Sequence, residues 1–215
     1  MMTDLEIREE IIKTAREFLA KGLVQGTGGN FSMRCRDGFI ITPSGMDYRL
    51  LVPDDLPKLS LEGIVIEGKR TPSIERGLHR AVYAARGDVM AVVHTHSICA
   101  TAVASMRRPI PTLTDNQAVY FGGEIPISEY APIGTPELAR NAVAALGSGV
   151  GVLMANHGAL CVGSSLAEAV MRSELLEVFA KIYLLVESCG GGVPLTAEEA
   201  EREAADVGSR YGQRC

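Results

Sequence analysis

Two tight turns decide how strands in this chain can pair. Arg36-Asp37-Gly38 separates the strand-like residues 31–34 from 39–42, and Asn156-His157-Gly158 separates 150–155 from 159–162. Strands joined this closely pair antiparallel, because a parallel partner needs a crossover of a dozen or more residues. Around them lie segments with helical spacing. Residues 3–20 carry Ile7, Ile11, Ala15 and Phe18 on one face, with Thr3 or Asp4 as the cap. Further helices are expected at 73–85 with Ser73 as N-cap, at 97–105, from Thr135-Pro136 to about 146, at 165–188 and at 197–209. Residues 91–96 read as a buried strand. Hairpins mixed with helices, and few strict strand–helix–strand units, point to an α/β protein built on a largely antiparallel sheet. A single domain over residues 1–215 is the simplest organisation.

Composition narrows the function classes. Of 215 residues 47% are hydrophobic and 22% charged, which allows a sizeable core and argues against disorder. The net charge of −5 comes from interleaved acidic and basic residues, so there is no electrostatic footprint for nucleic acid. No apolar run reaches the roughly 18 residues of a membrane span, and the charged, amphipathic beginning is unlike a signal peptide. Five scattered cysteines, with no CxxC pair, fit reduced thiols in a cytoplasmic protein.

The strongest local signal is His94-Thr95-His96. Residues two apart on a strand face the same side, so the two imidazoles can converge on one ion. His157, in the turn between two expected strands, supplies a third nitrogen. Three histidines with an open position make a recognised catalytic zinc arrangement. Taken singly, each histidine has an ordinary alternative as a satisfied core residue; the combination favours metal.

Glu75 and His79 lie one helical turn apart. Either reaches the metal or substrate, or both form an exposed pair on a solvated helix. Gly26-Thr27-Gly28-Gly29-Asn30, Ser44-Gly45 and Ser73 combine small residues with free backbone N–H groups, the composition of an anion cradle. The first follows a helix, lacks the G-x-G-x-x-G spacing and has no P-loop lysine, which speaks against a nucleotide.

Gly26 to Ser32, Thr42-Pro43-Ser44-Gly45, Pro72-Ser73-Ile74-Glu75, His94-x-His96, Asn156-His157-Gly158 and the C-terminal Tyr211-Gly212 together resemble the class II aldolase/adducin family over nearly the whole chain. The resemblance implies a three-layer fold, a central mainly antiparallel sheet flanked by helices, in a homotetramer with active sites at subunit interfaces. It implies one Zn2+ per subunit on His94, His96 and His157. Glu75 would ligate the ion in the absence of substrate and act as acid/base in catalysis. Gly29, Asn30, Ser44, Gly45 and Ser73 match phosphate-binding positions, and Asp115 and Tyr211 match catalytic ones. The implied reaction is zinc-dependent retro-aldol cleavage of a ketose 1-phosphate, such as L-fuculose 1-phosphate, to dihydroxyacetone phosphate and an aldehyde through an enediolate.

Two departures bear on the reaction. Ile74 stands where the aldolase pattern has a second serine, removing one phosphate donor. Asp115 stands where aldolases carry a tyrosine and looks more like the family's ribulose-phosphate 4-epimerase branch. Epimerisation, or decarboxylation or dehydration of a related phosphate, is therefore the alternative. A non-catalytic adducin-like module would be expected to have lost the metal ligands, and all four are present.

Overall fold

The computed structural model describes residues 2–210, with side chains from 2 to 206. Tyr211 and Cys215 lie outside the described residues. Among the described residues, the strands are β1 (Asn30–Cys35), β2 (Gly38–Ile41), β3 (Lys58–Leu59), β4 (Val65–Glu67), β5 (Ala91–Thr95), β6 (Ile127–Ser128), β7 (Gly151–Met154) and β8 (Gly158–Gly163). They form one sheet in the order β4-β3-β2-β1-β5-β8-β7-β6. Both expected hairpins are present, β1–β2 and β7–β8, and every neighbouring pair is antiparallel except β6–β7.

The helices are α1 (Asp4–Ala20), α2 (Arg76–Ala85), α3 (Ile98–Met106), α4 (Asp115–Phe121), α5 (Pro136–Leu146), α6 (Leu166–Ser188) and α7 (Ala197–Arg210). Strand alternation sends side chains to two helical layers. Phe31, Met33 and Val93 pack with Ile7, Ile11 and Phe18 of α1. Leu153, Ala159 and Cys161 meet Val103 of α3 and Leu176 and Phe179 of α6 on the same face. On the opposite face Phe39, Val92, Leu160 and Val162 meet Leu78 and Val82 of α2 and Leu138 and Leu146 of α5. Each Val, Leu, Ile, Phe or Met side chain among these, fully buried, contributes about 1.5–3 kcal/mol. The expected three-layer arrangement is what the chain adopts.

Local chemistry accounts for the helix starts. Thr3 accepts from the Glu6 N–H while the Glu6 carboxylate accepts from the Thr3 N–H at 2.7 Å, a capping box that opens α1. Thr135 caps α5 with proline in its first turn. Ser73, in contrast, is not the cap of α2. The helix begins at Arg76, and Ser73 opens the turn before it, its hydroxyl accepting from the Glu75 N–H at 3.2 Å. Glu75 holds the cap position with no side-chain cap bond, because its carboxylate is turned elsewhere. Likewise β5 ends at Thr95, leaving His96 just beyond the strand.

No helix is long and apolar enough to cross a membrane among the described residues. Among the described residues Cys35, Cys99, Cys161 and Cys189 are unbridged.

Candidate metal centre and active-site cavity

Three strand ends meet at one edge of the sheet. Asn30, the first residue of β1, pairs with His94 near the end of β5, and Thr95 pairs with Ala159 at the start of β8. His157 lies in the turn just before β8, where Asn156 adopts a left-handed φ of 57°. The entry to α2 brings Glu75 over the same edge. Glycine makes this convergence possible at Gly158, where a Cβ would lie 2.3 Å from the Thr95 carbonyl oxygen and 3.0 Å from His96 Cδ2.

Glu75, His94, His96 and His157 thereby offer four donor atoms within 4.8 Å of one another. His94 Nε2 lies 2.9 Å from His96 Nε2 and 3.2 Å from Glu75 Oε2, and His157 Nε2 lies 3.3 Å from Glu75 Oε1. The His94 Nδ1–H donates to the Ala159 carbonyl at 2.9 Å, so Nε2 is the ring nitrogen that faces the cluster. Glu75 and His94 are almost fully buried.

Within this cluster Glu75 and His94 stabilise each other's charged forms. Burial by itself would raise the Glu75 carboxyl; the charge and hydrogen bond of His94, with His157 and Asn30, outweigh it and hold the group well below the usual carboxylate range. Burial likewise opposes protonation of His94, but the facing Glu75 carboxylate prevails and raises it. His96 and His157 are pushed down to about 4 by burial and by the His94 charge, so they stay neutral donors. Glu75 Oε1 and His157 Nε2 are buried without a hydrogen-bond partner. Orphaned acceptors of this kind cost free energy unless a ligand satisfies them. Three imidazoles and one carboxylate suit a divalent metal such as zinc.

A cavity of about 250 Å³ opens beside the cluster. Gly29, Asn30, Ser44, Gly45 and Ser73, the five expected phosphate positions, all line it with Glu75 and His96. Sequence reasoning overestimated their free N–H groups. The loops at Pro43 and Pro72 form a bridge to one another, so the Ser44 N–H donates to the Thr71 carbonyl and the Ser73 N–H to the Thr42 carbonyl. The Gly28 N–H is likewise taken by the Gln25 carbonyl. Asn30 commits its side chain to Glu75 and His79 at 2.8 and 2.5 Å. Ile74 and Ile133 also line the cavity and are more than half exposed; no spacing pattern pointed to Ile133. A larger groove of about 460 Å³ lies between α1 and residues 51–53, but its lining holds no histidine and only common surface charges.

His79 is neither an exposed partner of Glu75 nor a member of the four-donor cluster. It is fully buried and reaches Glu75 through Asn30. Asp115 lies exposed in the first turn of α4, its carboxylate accepting from the Asn116 N–H, and is not part of the cluster.

A mainly antiparallel three-layer fold with a His3Glu centre, buried at Glu75 and His94, beside a small cavity defines a metalloenzyme scaffold. Residues 9–184 match the model of the Class II Aldolase and Adducin N-terminal domain, and the chain belongs to that family. It is 35% identical over 209 residues to an L-fuculose phosphate aldolase of Escherichia coli O6:H1, covering 97% of each chain. It is 38% identical over 198 residues to a 5-methylthioribulose-1-phosphate/5-deoxyribulose-1-phosphate aldolase of Rhodospirillum rubrum, covering 92% of this chain and 89% of that one. Among solved structures, an L-fuculose 1-phosphate aldolase superposes with a TM-score of 0.92 at 36% identity, covering 96% of this chain and 98% of the other.

Proposed function

We propose that this chain, as one domain over residues 1–215, catalyses metal-dependent retro-aldol cleavage of a ketose 1-phosphate to dihydroxyacetone phosphate and an aldehyde. The observation that carries the reading is the convergence of Glu75, His94, His96 and His157 beside a cavity walled by Ser44, Gly45 and Ser73. The relatives named as aldolases of fuculose and deoxyribulose phosphates support the substrate class.

A divalent cation held by the three histidines and Glu75, zinc in this reading and one per subunit, supplies Lewis-acid stabilisation of the negative charge that develops as the carbon–carbon bond breaks. The chain's own residues bind, orient and move protons. With their amides committed, Ser44 and Ser73 offer a phosphate their hydroxyls, and the glycines let it approach the backbone. Cleavage takes a proton from the hydroxyl of the departing carbon, which becomes the aldehyde, and returns one to the carbon that keeps the electron pair. Glu75 is assigned the second transfer; its Oε1 is buried and unpartnered on the cluster side. Asp115 and Tyr211 are assigned to the first, Tyr211 reaching toward the site of a neighbouring copy in a cytoplasmic homotetramer. Asp115 also motivates a second reading, epimerisation at the same carbon pair.

The test is a coupled assay of the metal-loaded protein on L-fuculose 1-phosphate, 5-deoxyribulose 1-phosphate and L-ribulose 5-phosphate. Release of dihydroxyacetone phosphate from a ketose 1-phosphate supports the aldolase. Epimer without cleavage supports the second reading, and inertness toward all three rejects both.

A further inference from the structure

We propose that His79 is a positioning residue for Glu75, acting through Asn30 within a one-way chain of buried hydrogen bonds that begins at Tyr83. The links are Tyr83 Oη to Ser32 Oγ at 2.8 Å, Ser32 Oγ to His79 Nδ1 at 2.6 Å, His79 Nε2 to Asn30 Oδ1 at 2.5 Å, and Asn30 Nδ2 to Glu75 Oε2 at 2.8 Å. All five side chains are buried.

Two secondary-structure periods build this chain. Glu75, His79 and Tyr83 recur every four residues along one face of α2 and its cap. Asn30 and Ser32, two apart, share the face of β1 opposite that helix. The helix supplies alternate links and the strand supplies those between.

Chemistry sets the direction. A carboxylate only accepts, so Asn30 must turn its NH2 toward Glu75 and its carbonyl oxygen toward His79. The His79 Nε2 therefore carries the proton. Its Nδ1 is then an acceptor for the Ser32 hydroxyl, and the Ser32 oxygen accepts from Tyr83. Every donor points at Glu75, an arrangement in which each bond polarises the next. The chain fixes the Asn30 amide against flipping and occupies Glu75 Oε2, leaving Oε1 as the oxygen free to carry a proton. Without His79, the Asn30 amide loses the partner that orients it, and the carboxylate loses its assured donor.

This inference rests on the assignment of Glu75 as proton carrier, so its test has a part that needs no activity. Nitrogen NMR of the His79 imidazole in the unmodified protein at neutral pH should show the neutral tautomer protonated on Nε2. A proton on Nδ1, or an imidazolium, overturns the chain whether or not the protein proves to be an aldolase. In kinetics, His79→Leu should lower kcat by roughly 10–100-fold with KM nearly unchanged and metal content retained. His79→Gln, whose amide N–H can replace Nε2–H, should recover most of that loss. Added to Glu75→Gln, His79→Leu should cost nothing further in kcat; losses that multiply would mean that His79 does not act through Glu75.

Discussion

Asn30 faces His94 directly across the β1–β5 ladder, and its amide donates to the carboxylate that lies 3.2 Å from the same histidine. One cross-strand pair thus ties a candidate metal ligand to the residue that donates to Glu75. The ladder holds this triangle whatever occupies the cavity, so the charge of Glu75 can be removed without dismantling the centre. Glu75→Gln is expected to keep metal on the three histidines and to lower kcat about 10²–10⁴-fold, the usual range for a lost acid/base group. Metal analysis beside steady-state kinetics checks it; an unchanged kcat would remove Glu75 from the chemistry.

Gly158 sets how closely β8 approaches the His94-Thr95-His96 segment. In Gly158→Ala the new Cβ meets backbone, at 2.3 Å from the Thr95 oxygen, and backbone cannot swing aside as a side chain would. The strand must shift, at a cost of roughly 1–3 kcal/mol, and His157 one residue earlier shifts with it. Thermal melts should show a lowered Tm, and metal titration a weaker affinity. Gly77→Ala is the control. It lies in α2 with open space where its Cβ would fall, and should be neutral or stabilising by up to about 1 kcal/mol.

Buried neutral histidines should make the metal-free protein acid-sensitive. Burial holds His79 down to about 3, and burial with the His94 charge holds His96 and His157 to about 4, against an ordinary value of 6.5. As pH falls through 6.5 the unfolded chain takes up protons that the folded chain refuses. Their contribution to stability is therefore fully present above 6.5 and is lost progressively toward about 4, and toward about 3 for His79. His94 is raised and works in the opposite sense: its contribution is complete below 6.5 and fades as pH rises through its folded value. Three groups against one predict a Tm that falls on acidification across this window. A flat Tm in scanning calorimetry between these limits would show that the histidines are not held neutral.

Much of this centre was legible because it rests on short periods. His94 and His96 are two apart at a strand end, His157 sits in a hairpin turn, and both hairpins are marked by glycine. What escaped depends on contacts between distant segments. The Ser44 and Ser73 amides look free in sequence and are consumed by the pairing of two loops through Pro43 and Pro72. In sequence His79 stays open between the site and a solvated pair, because nothing local says that Asn30 and Ser32 lie opposite its helix face. The strands β3, β4 and β6 are two or three residues long, and α4 is seven, too short for periodicity to register.

Ile74 concerns the substrate itself. It follows Ser73 at the cavity, is more than half exposed, and stands where the aldolase pattern has a second serine. The Ser44 and Ser73 N–H groups are already bonded within the protein, so an additional hydroxyl donor should count. Ile74→Ser restores a hydroxyl and removes an exposed apolar side chain, so it should not cost stability. A hydrogen bond to a charged group is worth about 1.5–3 kcal/mol, so KM for a ketose 1-phosphate should fall roughly tenfold or more, with kcat changed little. Inorganic phosphate, as a competitive inhibitor, should gain affinity in parallel, because the new hydroxyl acts on the phosphate and not on the sugar. A rise in KM together with weaker phosphate inhibition would mean that Ile74 packs against the bound substrate, and that the cavity is adapted to an apolar group at this point.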